Sequence, residues 1–424
     1  MIKNAGVVAI TLSAGLLPVA GAETLDDLRR VVDAQQKTID SLKQQMDATA
    51  TLVESAGLQN GAGSATPDTV LGGYGEINYN HYRKDASRDM MDLRRFVLSI
   101  THRFNDRLFF NGEMEWEHAV ASADDQGEAE IEQAFVSYGL GRDLTLTAGL
   151  FLMPFGFLNE SHEPPNYYGV ERNFVETLII PSTWREGGVH VHGTTAVGLA
   201  WEAGATTGFD IAHFDKASAP LAASHQELQK AKARHLAVYG AVNYRGVPGL
   251  TVGGALFSGN GAQGNADYRA DNSLPNFAGV DARVTLWDVH ARWQPGNWDL
   301  QTVYAMGSIG DAARVDQVLQ AYNAANSTAR PYVPDEFYGW YGQAAYILWR
   351  NGEMSFAPFV RYEEYDTQSK MPAGFSADPA NADRVTTVGF SFKPHPQVVV
   401  KADYQRFEDN SGNDRYDLGI GYQF

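Results

Sequence analysis

Apolar residues recur at every second position through most of the chain beyond residue 70. In 70–83, Leu71, Gly73, Gly75, Ile77 and Tyr79 share one parity, while Glu76, Asn78 and Asn80 share the other. In 108–118, Leu108, Phe110, Met114 and Trp116 alternate with Asn111, Glu113, Glu115 and Glu117. The last stretch sets Tyr416, Leu418, Ile420, Tyr422 and Phe424 against Arg415, Asp417, Gly419, Gly421 and Gln423. Successive side chains of a strand point to opposite faces, so a period of two predicts strands with one apolar and one polar side. About sixteen such segments are present, starting near 70, 91, 107, 129, 144, 187, 205, 235, 249, 279, 298, 336, 354, 384, 397 and 414.

The connections carry a second pattern. Short turns fall at 105–106, 141–143, 203–204, 246–248, 295–297, 351–352 and 394–396. Between them lie long polar connections near 84–90, 119–128, 154–186, 216–233, 260–277, 311–334, 367–383 and 405–413. Regular alternation of short and long predicts an all-β fold: an antiparallel transmembrane β-barrel, with its turns toward the periplasm and its loops outside. A soluble β-sandwich has no reason to keep that rhythm. Aromatic residues near strand ends fit interfacial girdles: Tyr79 with Tyr82, Trp340 with Tyr341, Tyr346 with Trp349, and Tyr422 with Phe424.

The chain before residue 70 has another texture. Lys3, the apolar stretch 5–17 and the small residues Ala20, Gly21 and Ala22 predict a signal peptide over 1–22. Over 23–56, Leu25, Leu28, Val32, Gln35, Ile39, Leu42, Met46, Thr49 and Val53 keep a 3-4 spacing, the seam of a coiled-coil helix. Residues 57–69, rich in Gly and Ala, read as a flexible linker, and 70–424 as the barrel. The expected location is the outer membrane, with the helix in the periplasm.

Composition narrows the function. A net charge of −18 makes nucleic acid a poor partner. The absence of cysteine excludes disulfides, thiolate metal sites and cysteine catalysis.

The order signal peptide, coiled coil, linker and barrel resembles the phosphate-selective porin O and P family. LGGYGEINYNHYR at 71–83, DLRRFVLSITHRFNDRLFFNGEMEWE at 92–117 and TAGLFLMPFGFLNES at 147–161 are similar to that family's first strands and to its approach to the third loop. The resemblance implies a homotrimeric channel for passive diffusion of small hydrophilic solutes or ions such as phosphate, embedded in the outer-membrane bilayer. It also implies a third loop folded into the lumen, a basic constriction, and Phe424 as part of the signal read by the barrel-insertion machinery. No dense run of lysine and arginine accompanies it in the linear sequence.

In a pore, the charge and width of the narrowest point decide what passes. The segment 154–186 is far longer than a hairpin requires and is the candidate constriction. It carries Glu160, His162, Glu163, Arg172 and Arg185, with Glu171, Glu176 and Glu186. Arg95 and Arg103 share one face of the second strand, and Glu113, Glu115 and Glu117 one face of the third. These lanes form either a transverse field or a satisfied salt-bridge network. His190 and His192 share a strand face and could chelate a metal, but spacing fixes no third ligand, so neither metal nor cofactor is assigned. Ser161, His162 and Glu163 are consecutive and therefore diverge, which is not triad geometry, so no enzyme is expected. A plugged structural or adhesive barrel and an outer-membrane hydrolase are the alternatives.

Overall fold

The computed structural model describes residues 68–122, 127–263 and 274–424. The signal peptide, the coiled coil and nearly all of the linker lie outside the described residues.

The alternating segments form β1 (Thr69–Tyr82), β2 (Met90–Arg103), β3 (Leu108–Glu117), β4 (Ala129–Gly139), β5 (Leu144–Leu152), β6 (Arg185–Thr194), β7 (Leu199–Thr206), β8 (Ala237–Tyr244) and β9 (Leu250–Asn260). They continue as β10 (Arg283–Trp293), β11 (Trp298–Ile309), β12 (Glu336–Tyr346), β13 (Trp349–Asn351), β14 (Met354–Lys370), β15 (Ala382–His395), β16 (Val398–Phe407) and β17 (Arg415–Gln423). Both β12 and β13 pair with β14, so they are two pieces of one stave broken at Ile347 and Leu348. The described residues thus form a sixteen-stave antiparallel barrel of consecutive neighbours.

Closure comes from β17 returning to β1, in register from Tyr74↔Gln423 to Tyr82↔Arg415. Phe424 extends the seam, donating its N–H to Gly73 O at 2.8 Å and accepting from Gly73 N at 3.0 Å. Its ring lies across Gly73, where a Cβ would meet it at 2.9 Å, and the Tyr422 ring covers Gly75 in the same way. A closed barrel leaves no unpaired strand edge in lipid.

Side-chain parity sorts as the sequence predicts. Glu76, Asn78 and Asn80 are buried toward the lumen, while Leu71 is 71% exposed on the outer face. Parity also corrects two girdle residues. Tyr341 is buried in the lumen, since its neighbour Trp340 points outward, and Tyr82 faces inward, where its hydroxyl accepts from Arg415. The outer girdle instead contains Trp287 against Tyr304 and Trp298 against Tyr346, with ring centroids 5.4 and 4.9 Å apart.

The expected turn at 203–204 is also corrected. It lies at Thr195–Gly198, where Gly198 adopts φ +82°, and β7 starts at Leu199 rather than near 205. Gly204 is a mid-strand residue opposite His190. A Cβ there would sit 2.7 Å from His190 Cβ and 2.7 Å from a Tyr239 ring carbon, so the glycine makes room for two lumenal rings. The connection 310–335 contains a helix, α1 (Ala312–Asn326), that the strand reading did not anticipate.

The loop end of the lumen beside β6–β12 is filled by an apolar cluster. Trp184 packs against Phe155, Phe209 and Phe257 with centroids 4.9 to 5.1 Å apart. Such pairs contribute about 0.5–1.5 kcal/mol each beyond the area they bury. The rings come from the third and fourth long connections and from β9, so packing as well as hydrogen bonding draws these loops inward.

Candidate functional site

The connection from Met153 to Trp184, between β5 and β6, folds into the lumen and ties itself to walls all around it. His162 Nε2 lies 2.8 Å from Tyr74 Oη on β1 and 2.9 Å from Glu132 Oε1 on β4. Tyr167 donates to Glu76 on β1 at 2.8 Å. Backbone N–H groups of Val170 and Phe174 donate to Asp403 on β16 and Glu363 on β14, at 2.6 and 2.7 Å. Glu171 accepts from Asn80 on β1 at 3.2 Å, and Tyr341 on β12 donates to Glu176 at 2.9 Å. A loop fastened to β1, β4, β12, β14 and β16 spans the lumen, which is the geometry of a constriction.

Glu176 also holds the loop's own neck. Its Oε1 accepts from the backbone of Phe157 and Leu158, and its Oε2 from Asn173. Gly156 turns this neck at φ +62°, and a Cβ there would lie 2.2 Å from Glu176 Oε1. Lys401 of β16 is buried with its ammonium 3.4 Å from the centre of the Tyr167 ring, a cation–π contact that pins the loop from below.

Chambers lie on either side of the loop among the described residues. One, of about 330 Å³, is lined by Glu76, Glu171, Arg94, Arg95, Arg172 and Arg415 among others. The other, of about 380 Å³, includes Glu160, Ser161, His290, Arg245 and Arg292 in its lining and lies toward the short turns. Arginines outnumber carboxylates in both linings. Most are partnered: Arg292 forms a two-pronged pair with Asp299 at 2.6 and 2.8 Å, and Arg415 meets Asp417 at 3.0 Å. Arg172 differs. Its Nη1 donates to Ser182 and Thr183, but its Nε and Nη2 have no hydrogen-bond partner among the described residues.

The sequence candidates separate accordingly. Arg95, Glu115 and Glu117 come together, since Arg95 meets Glu76 at 3.0 Å, Glu115 at 3.1 Å and Glu117 at 3.9 Å. Glu113 accepts from Gln133 instead. Arg95 is thus paired within the lanes, with Glu115 and Glu117 around it. Arg103 stands apart near the short-turn end, beside Asp68 and Asp106 at 3.5 Å each. Arg185 and Glu186 belong to β6 rather than to the loop, and Arg185 pairs with Glu130 and Glu227. Glu160 is exposed in the second chamber, and Glu163 accepts from Asn166 at 2.8 Å. Both His162 nitrogens are engaged, Nδ1 with Asn159 O at 2.9 Å, while Ser161 Oγ accepts from Asn166.

Sequence reasoning did not single out Glu132, Arg292, Arg361 or Lys401 as site residues. Cations that are scattered along the chain meet in the lumen: Lys401 has Arg361 and Lys393 as electrostatic neighbours, from β14 and β15. Each stave contributes one inward residue at a given height, so a basic wall needs no run of basic residues in sequence.

The model of the phosphate-selective porin O and P family matches residues 69–406. An uncharacterized protein of Aquifex aeolicus (strain VF5) is 33% identical over 360 residues, covering 84% of this chain and 79% of the relative. Among solved structures, OmpF of Salmonella typhi in complex with daunomycin superposes with a TM-score of 0.56 at 15% identity, covering 84% of this chain and 97% of that one. The outer membrane channel DcaP of Acinetobacter baumannii gives 0.51 at 14% identity, over 87% and 100%. Since the family match spans nearly the whole barrel, the chain belongs to the phosphate-selective porin O and P family, and its barrel is a passive channel of the outer membrane.

Proposed function

We propose that this channel favours small anions, which pass the two chambers in series around the inward-folded loop. The observation that carries the reading is the excess of arginine over carboxylate in both linings, Arg172 among them. A guanidinium presents a planar fork of donors that suits phosphate and carboxylate oxygens. The overall charge of −18 does not oppose this, because exposed charges on outer loops do not set the potential at the constriction. His162 is held by Asn159, Tyr74 and Glu132, and Ser161 by Asn166, so these neighbours in sequence do not act on one another. The assembly is a homotrimer, by analogy with the family and from the heptad seam of 25–53, with that helix in the periplasm.

Planar-bilayer recording of the purified protein tests both parts. Conductance should appear in groups of three equal steps, and the reversal potential in a KCl gradient should lie on the chloride side. Arg172→Ala should bring the chloride-to-potassium permeability ratio at least twofold nearer to one. Cation preference in the wild-type channel rejects the anion reading, and single isolated steps reject the trimer.

A further inference from the structure

We propose that the lumenal face of β6 and β7 binds one divalent transition-metal ion of the zinc or copper class through His190, His192 and Glu202. His190 and His192 are two residues apart on one strand, so both point into the lumen, and His192 is directly opposite Glu202 in the register. One ligand atom from each of the three lies within 4.8 Å of the others. His190 Nδ1 is 2.6 Å from Glu202 Oε1.

Two imidazoles and a carboxylate suit a borderline ion rather than calcium or magnesium, which take oxygen ligands. A tetrahedral ion with bonds of about 2.0–2.2 Å needs donor atoms roughly 3.4 Å apart. The ion replaces the hydrogen bond between His190 and Glu202, and His192, which is only part-buried, closes the remaining distance by rotation. Water completes the fourth position.

The surroundings are built for this arrangement. Tyr239 on β8 donates to Glu202 and lies 2.6 Å from His190 Nδ1, so its hydroxyl stands beside the two ligand atoms and, once the ion takes Nδ1, turns to Glu202 alone. Phe151 packs on the His190 ring at 4.4 Å. Gly204 leaves the space that both His190 and Tyr239 occupy. The site lies near the short-turn mouth of the barrel, two residues from the end of β6, where ions enter from the periplasmic side.

The test uses the untagged full-length protein in detergent. Titration with Zn²⁺ by calorimetry should give one ion per chain with micromolar affinity, and Cu²⁺ loading should give an electron paramagnetic resonance spectrum with two nitrogen ligands. His192→Ala should remove one nitrogen from that spectrum and weaken binding at least tenfold, as should Glu202→Gln, whose side chain keeps the shape. Retained heat-dependent gel mobility shows that each variant is folded. The proposal fails if the wild-type protein binds no ion, or if both folded variants bind as tightly as wild type.

Discussion

At the scale of single residues, the lumen shows how burial turns ordinary side chains into working parts. Asp316 on α1 lies outside the membrane-spanning strands and is fully buried, with Oδ1 accepting from Val333 N at 2.8 Å. Its Oδ2 has no hydrogen-bond partner among the described residues. Burial, with a smaller push from Asp335, raises its pKa from 3.8 to about 7. An acid whose pKa is raised by folding holds its proton more tightly in the folded state. The docking of α1 is therefore strongest below about pH 4, weakens as pH rises toward 7, and is flat above that. Amide hydrogen exchange in α1, corrected for intrinsic rates, should be at least tenfold faster at pH 8 than at pH 4. Asp316→Asn should remove most of that difference, and an unchanged pH dependence in the variant would place its origin elsewhere.

At the scale of elements, parity made the strands legible and long-range closure hid the rest. The barrel staves could be read because lipid outside and polar groups inside impose a period of two on every strand. The stave β7 departs from the expected bounds because Gly204 looks like a turn residue in sequence, and only its three-dimensional neighbours His190 and Tyr239 explain a glycine in mid-strand. The helix α1 has Val315, Val318, Leu319 and Tyr322 at helical spacing, a signal masked by the polar residues between them. The third loop was recognisable from its length and charges, but its partners were not. Glu132, Glu363 and Asp403 reach it across the lumen, and which strand positions share a height depends on barrel shear rather than on sequence separation. Glu176 is the element's staple, since one carboxylate serves two backbone N–H groups, Asn173 and Tyr341. Glu176→Ala leaves buried donors unmet at about 1–3 kcal/mol each. The barrel's own ladder is untouched, so the variant should still fold and run as a heat-modifiable band. Its single-channel current should become noisier and its mean conductance should rise. A quiet, unchanged conductance would show that the loop is held by its wall contacts alone.

At the scale of the whole molecule, the sixteen-stave wall is a closed frame, and the proposed selectivity rests on what the loops place inside it. The apolar cluster around Trp184 fills part of the loop end, and the two arginine-lined chambers lie beside the inward-folded loop. Two mechanisms can produce anion preference there, and they differ in range. A field from the cation excess acts over the Debye length, about 10 Å at 0.1 M salt and about 3 Å at 1 M. Direct coordination by Arg172, which lines the first chamber, acts at hydrogen-bond distance, where salt screens little. Because most of the arginines are already paired with carboxylates, the long-range field is the residue of near-cancelling charges, while the Arg172 fork is local. Reversal potentials measured with the same tenfold gradient around 0.1 M and around 1 M KCl should thus show only part of the preference lost at high salt. The part that survives should be the part removed by Arg172→Ala. Complete loss at 1 M would assign selectivity to the field of the whole lumen, and Arg172 would then count as one charge among many.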